Sequence, residues 1–198
     1  MGRTFAALYD ICTAPSEAMG LRRMRRRLLS AANGRVLEVG AGTGANLPLY
    51  PADTHVVATE YDESMARQAR KHLNKARAAT RLLLADAQAL PFDDAAFDTA
   101  VGTLVFCTIA EPLLALGEVR RVLRPGGRLL LLEHVRWEND FGRLQDGLTP
   151  LWKRFAHGCH LNRRTLETVR MAGFEVEGVR AHHTPQTIIE VSAVRPQL

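Results

Sequence analysis

GRVLEVGAGTGANLPLYP, residues Gly34 to Pro51, decides how the rest of the chain is read. Val36, Leu37 and Val39 form an apolar run of strand length, and the chain then turns through Gly40-Ala41-Gly42-Thr43-Gly44. Glycine at every second position permits a tight turn and lets backbone N–H groups approach a ligand with no Cβ in the way. Glu60 lies twenty residues beyond Gly40, where a second strand should end, and a carboxylate there can accept both hydroxyls of a ribose. Taken alone, the stretch leaves two ligand classes open. Gly40, Gly42 and Ala45 satisfy G-x-G-x-x-G/A, so a nicotinamide dinucleotide and another adenosine ligand fit it equally well.

Outward from this point the chain alternates strand and helix, the pattern of a parallel sheet with crossover helices. Strands are expected at Arg35–Glu38, Thr54–Thr59, Arg81–Leu84, Thr99–Gly102 and Arg128–Glu133. A helix is expected over Ser64–Arg77, with Met65, Ala69, His72, Leu73 and Ala76 on one face and Asp62 as N-cap. Another should run from Glu111 to Leu123, with Pro112 near its start and Pro125-Gly126-Gly127 past its end. A last helix near Arg163–Ala172 precedes strands at Phe174–Arg180 and Thr187–Val194, and the short loop joining these two requires antiparallel pairing.

Three downstream segments narrow the ligand. LLLADAQALPF (82–92) puts Asp86 just after the third strand, within reach of an adenine amino group. FDTAVGTLVF (97–106) ends a strand at Thr103 over the same crevice, and LRPGGRLLLLEH (123–134) feeds a fifth strand. With E-x-G-x-G-x-G at Glu38–Gly44, this set in this order resembles the class I S-adenosylmethionine-dependent methyltransferases, over about residues 35–195. The resemblance implies an α/β fold with a Rossmann-like seven-stranded sheet in the order 3-2-1-4-5-7-6, strand 7 antiparallel, and helices on both faces. It implies S-adenosyl-L-methionine as cofactor and S-adenosyl-L-homocysteine as product.

Carried over position by position, the resemblance places Gly40, Ala41, Gly42 and Gly44 against the methionine part of the cofactor, with Glu38 near its amino group. Glu60 would hold the ribose, while Tyr61 and Met65 flank the adenine. Asp86 would take the adenine amino proton beside the Ala87 N–H, and Thr103 and Leu104 would line the floor below the sulfonium. Met65 also has the spacing of an ordinary core residue.

TLVFCTIAEP (103–112), EHV (133–135) and GCHLNRRTLE (158–167) look like two related groups of small methyltransferases. One is the bacterial phospholipid N-methyltransferases, acting on phosphatidylethanolamine; the other is the methyltransferase-like proteins that methylate alkyl thiols. The acceptor implied is a phospholipid or another hydrophobic small molecule, first the amine of phosphatidylethanolamine and alternatively a thiol. Glu133 and His134, at the end of the fifth strand, are the candidates for managing the acceptor proton. Trp137, Phe141, Leu144, Leu148, Leu151, Trp152 and Phe155 recur three or four apart, an apolar ridge expected to break at Pro150. It is either a helix packed on the core or a lid-like insert near 136–160.

Residues 1–34 read as a basic amphipathic helical segment ahead of a domain spanning 35–198. Residues 1–35 hold seven arginines against Asp10 and Glu17, a net charge equal to the +5 of the whole chain. Five of these fall within Arg22–Arg27, around an apolar stripe of Leu21, Met24 and Leu28. Two readings follow: a basic helix packing its stripe on the domain, or an interfacial helix making reversible contact with an anionic membrane. Nucleic acid is not expected, since no aromatic residues are interleaved with the arginines. The three cysteines are scattered without a C-x-x-C pair, which argues against a disulfide scaffold and fits a cytoplasmic protein, at most peripheral on the inner face of the membrane. His157, Cys159 and His160 lack a partner at ligand spacing, so no metal is expected. His182 and His183 are expected on a strand surface.

Overall fold

The computed structural model describes residues 3–137, 140–155, 159–160, 162–183 and 187–197. Two N-terminal helices, α1 (Arg3–Ser16) and α2 (Arg22–Leu29), precede β1 (Arg35–Val39), β2 (His55–Glu60), α3 (Glu63–Arg70), β3 (Ala79–Leu84) and β4 (Phe97–Thr103). There follow α4 (Pro112–Val122), β5 (Leu123–His134), α5 (Asp140–Phe155), α6 (Thr165–Met171), β6 (Glu175–His183) and β7 (Thr187–Val194). The seven strands form one sheet in the order 3-2-1-4-5-7-6. β1 to β5 pair in parallel, while β7 runs antiparallel to both β5 and β6. Fold class, strand order and the odd direction of β7 are as the sequence implied.

Period-2 alternation splits the strand residues between two cores, as a sheet buried on both faces requires. Leu37, Val39, Leu129 and Leu131 pack with Leu116, Val119 and Val122 of α4 and Val169 of α6. Val36, Val101, Leu130 and Leu132 face the other way and pack with Leu21, Leu28 and Leu29. The apolar stripe of α2 is therefore consumed by the domain itself. That corrects the interfacial-helix reading: Leu21 and Leu28 are buried against the sheet and cannot dip into lipid.

Other boundaries shift for tertiary reasons. The helix expected over Ser64–Arg77 ends at Arg70 and gives way to a 3₁₀ turn at Leu73–Lys75. At that break His72 Nδ1 lies 2.9 Å from the Thr43 carbonyl oxygen, a tertiary anchor that helical periodicity cannot show. β5 begins at Leu123 rather than Arg128, because Leu123 already pairs with Phe97 before a register shift skips the Pro-Gly-Gly turn. α5 continues through Pro150, where a break was expected. Proline removes one main-chain donor there, and the preceding Thr149 hydroxyl donates to the Gln145 carbonyl at 2.6 Å. Within the ridge Leu144 and Leu148 are exposed and Trp137 is half-buried, whereas the side chains of Phe141, Leu151, Trp152 and Phe155 lie outside the described residues.

Candidate active site

The sheet reverses its strand order between β1 and β4, and open α/β sheets form their ligand crevice at such a point, beyond the carboxyl ends of the strands. The glycine turn after β1 is held there from two sides. Ala41 N donates to Thr59 O at 2.9 Å, and Glu60 accepts from Gly42 N (2.8 Å) through Oε2 and from Asp62 N (2.9 Å) through Oε1. One carboxylate thus fixes the turn and the entry to α3, and each of its oxygens keeps a further lone pair for a ligand hydroxyl. Asp62 caps α3 as expected, accepting from Ser64 N and Met65 N.

Gly40 has φ 66°, and a Cβ on it would run into the Val105 side chain, so the turn can lie against the loop after β4 only with glycine there. A Cβ on Gly42 would instead meet only Met65 Cε at 4.0 Å. The space above Gly42 is an open cradle beside the Glu60 carboxylate, a fit for the bulk of a nucleoside. Met65 is buried and closes one side of it, consistent with its core spacing, while Tyr61 stands at the rim, 78% exposed. Asp86 follows β3 directly, and Ala85 N donates to Glu60 O at 3.0 Å, which ties the two strand ends together. The Asp86 carboxylate accepts from Gln88 N at 2.8 Å, and its neighbour Ala87 is half-buried beside the same crevice edge.

Glu38 sits beneath the turn, fully buried. Its Oε1 accepts from Asn46 Nδ2 at 2.7 Å, but Oε2 has no hydrogen-bond partner in good geometry among the described residues. Burial pushes its pKa up to about 7, against the opposing pull of the Asn46 hydrogen bond and the Arg25 charge. Nearby Tyr50 is also buried and raised, by desolvation first and then by the charge of Glu38. The Tyr50 hydroxyl neighbours this carboxylate as a donor, and a carboxylate so deeply buried is further stabilised by a cationic or donor ligand.

On the β4–β5 side, Thr103 ends its strand and Leu104 follows at φ 56°, a left-handed conformation for a branched side chain. Glu133 Oε1 accepts from Val105 N at 2.9 Å and Phe106 N at 3.0 Å, pinning that loop, while its Oε2 has no partner among the described residues. Burial raises the Glu133 pKa to about 7 against those two backbone bonds. His160 N donates to Cys107 O at 2.9 Å, so the segment before α6 packs against that loop. The Cys107 thiol is raised well above its ordinary range, first by its hydrogen bond to Cys159 and then by burial. His134 is half-buried next to Glu133 and stands opposite Ile188 of β7. Among the described residues no three His, Cys, Asp or Glu are grouped to hold a metal; His157 and the His183 side chain lie outside them.

Residues 37–131 match the family described as a methyltransferase domain. Over these residues the chain is a member of the methyltransferase-domain family. Thiol S-methyltransferase TMT1B of Rattus norvegicus is 35% identical over 148 residues, covering 70% of this chain and 59% of that protein. Phosphatidylethanolamine N-methyltransferase of Cereibacter sphaeroides is 35% identical over 130 residues, covering 65% of this chain and 64% of that protein. A methyltransferase structure from Bacillus halodurans superposes at a TM-score of 0.75 with 20% identity, over 88% of this chain and 98% of that one, which shows the shared fold. The chain spans 59–64% of the length of these two curated relatives. Both curated relatives are named as methyltransferases rather than as dinucleotide enzymes.

Two residues that join the candidate residues Glu38 and Thr103 carry no role in the sequence reading. Arg25, only 7% exposed, turns inward from α2 and donates through Nη1 to Asn46 Oδ1 (3.0 Å) and Thr103 Oγ1 (2.6 Å), and through Nε to Glu17 (3.0 Å). Asn46 joins Arg25 to Glu38 and reaches Thr103 as well. A signal for Arg25 was present: Leu21, Arg25 and Leu28 are spaced i, i+4, i+7, which puts this arginine on the apolar face. The five-arginine cluster must be corrected accordingly. Arg25 is buried and Arg27 pairs with Glu190, leaving Arg22, Arg23 and Arg26 exposed and outside any ion pair among the described residues.

Proposed function

We propose that this methyltransferase transfers a methyl group to a hydrophobic small-molecule acceptor, a thiol before an amine. In this reading Glu60 takes the ribose hydroxyls, Asp86 and the Ala87 N–H the adenine edge, Glu38 Oε2 the ammonium, and Met65 and Tyr61 the adenine faces. Gly40, Ala41, Gly42 and Gly44 give the backbone its close approach, and Thr103 and Leu104 form the floor. When bound, the cofactor supplies an electrophilic methyl on a sulfonium sulfur. The acceptor sulfur would receive that methyl, and its proton would leave to a base on this chain.

Glu133 is the candidate for taking the acceptor's proton: Val105 N and Phe106 N fix its Oε1, and burial raises its carboxyl to about 7, so it can take up a proton near neutral pH. His134, beside it, would pass that proton outward. The name of the rat relative agrees with a thiol acceptor.

The phosphatidylethanolamine reading is favoured by one observation, the exposure of Arg22, Arg23 and Arg26 on one helix, which suits an anionic lipid surface. No helix among the described residues is long and apolar enough to cross a membrane. The test is labelled methyl transfer from S-adenosylmethionine to a panel of alkyl thiols and to phosphatidylethanolamine in anionic vesicles. Thioether product is expected, with Glu133→Gln lowering kcat about 10²-fold and changing S-adenosylhomocysteine affinity less than about 3-fold. His134→Ala should lower kcat less. Label appearing on the lipid amine alone would replace the thiol reading. Full activity of Glu133→Gln from pH 6 to 9 would reduce Glu133 to a loop anchor.

A further inference from the structure

The zwitterionic end of the cofactor needs two opposite charges, and only Glu38 supplies one from the glycine-loop motif. The second comes from the N-terminal segment. Arg25 stands on the other side of Asn46 from Glu38: Asn46 Nδ2 donates to Glu38 Oε1, and its Oδ1 accepts from Arg25 Nη1. A single carboxamide thus spaces a carboxylate and a guanidinium, both buried, at the carboxyl ends of β1 and β4. Arg25 uses Nη1 and Nε on protein partners, while Nη2 makes no hydrogen bond to a described residue. The planar fork of a guanidinium is built for carboxylates, and the unused Nη2 of an arginine anchored at the carboxyl end of β4 offers donors to one.

We propose that Arg25 binds the α-carboxylate of the cofactor, opposite Glu38 on its α-ammonium, which makes the N-terminal helices part of the cofactor site. This rests on the cofactor placement given above. The local backbone is shaped for that task. The chain between α1 and α2 passes through Gly20 at φ 129°, a conformation that side-chain-bearing residues rarely adopt, and this kink redirects α2 so that Arg25 points to the sheet. Glu17, from the same irregular turn, holds Nε at 3.0 Å and fixes the rotation of the guanidinium. A second latch is consistent: Thr43, in the glycine loop, donates to Asp10 Oδ1 of α1 at 2.6 Å. Both helices of the segment are therefore tied to the loop that embraces the methionine moiety.

The test is calorimetric binding of three ligands: S-adenosylhomocysteine, its decarboxylated analogue, which keeps the amine, and 5′-methylthioadenosine, which lacks both groups. Wild type is expected to favour S-adenosylhomocysteine over the decarboxylated analogue by about 10–10²-fold, the range of a charge-assisted hydrogen bond. Arg25→Met should lose that preference, weakening S-adenosylhomocysteine by the same factor and leaving the other two ligands within about 3-fold. Arg25→Lys should retain part of the preference. Equal weakening of all three ligands by Arg25→Met would assign the arginine a structural role only and overturn the proposal. So would an unchanged preference in Arg25→Met. Failure of 5′-methylthioadenosine to bind wild type would instead overturn the adenosine placement, separately from Arg25.

Discussion

Replacing Glu60 with alanine should remove most of the methyltransferase's affinity for S-adenosylhomocysteine, by about 10²-fold or more. Two effects add. The variant loses the acceptor proposed for the ribose hydroxyls, and hydrogen bonds to a charged group contribute about 1.5–3 kcal/mol each. It also frees Gly42 N and Asp62 N, which Glu60 holds at 2.8 and 2.9 Å, so the turn that shapes the cradle loosens. The measurement is thermal unfolding with and without ligand. Ligand at about 100 times its dissociation constant stabilises the wild type by about 2.7 kcal/mol, and the same concentration should barely shift the variant. An unchanged shift in Glu60→Ala would mean that the ribose is held elsewhere.

The second large effect is a pH dependence of cofactor binding set by Glu38. Burial raises this carboxyl to about 7, so near and below neutrality the free protein carries it protonated. An ammonium seated at Oε2 favours the ionised form and lowers that pKa, so binding releases a proton. Affinity for S-adenosylhomocysteine should therefore be highest above pH 7 and fall up to about tenfold per pH unit below it. Glu38→Gln should flatten the profile and weaken binding at pH 8 by about 10–10²-fold. Titration in buffers of different ionisation enthalpy reads the released proton directly. A wild-type profile as flat as that of Glu38→Gln would remove Glu38 from the ammonium site. The same raised values act on the free fold with a definite sign. For Glu38 and Glu133 the stabilising state is the protonated one. That contribution is complete below the unfolded value near 4.5 and is lost as pH rises to about 7.

Much of this was legible in the sequence because it is written in local pattern. Strand periodicity and the glycine turn give the seven strands, while their order and the joint placing of Glu38, Glu60 and Asp86 came from the family resemblance. What the sequence hid is tertiary. The identity of the inward-turning arginine among five depends on the kink at Gly20 and on Asn46 and Thr103, which are distant in the chain. Charge counting treated Arg22–Arg27 as one surface, whereas the fold divides it into a buried guanidinium, an ion pair to Glu190 and three exposed cations. Likewise Glu133 reads in sequence as an acid beside a histidine, and only the structure shows Val105 N and Phe106 N hanging on one of its oxygens. The early end of α3 has the same origin, in the contact of His72 with the Thr43 carbonyl.

The central claim is that the crevice beyond β1, β2 and β4 takes an adenosine-sulfonium cofactor. Parallel calorimetric titrations of the wild-type chain with S-adenosylhomocysteine and with NADH test it most directly. One molecule of S-adenosylhomocysteine is expected to bind per chain, with no heat from NADH beyond dilution. Binding of NADH without binding of S-adenosylhomocysteine would contradict the account.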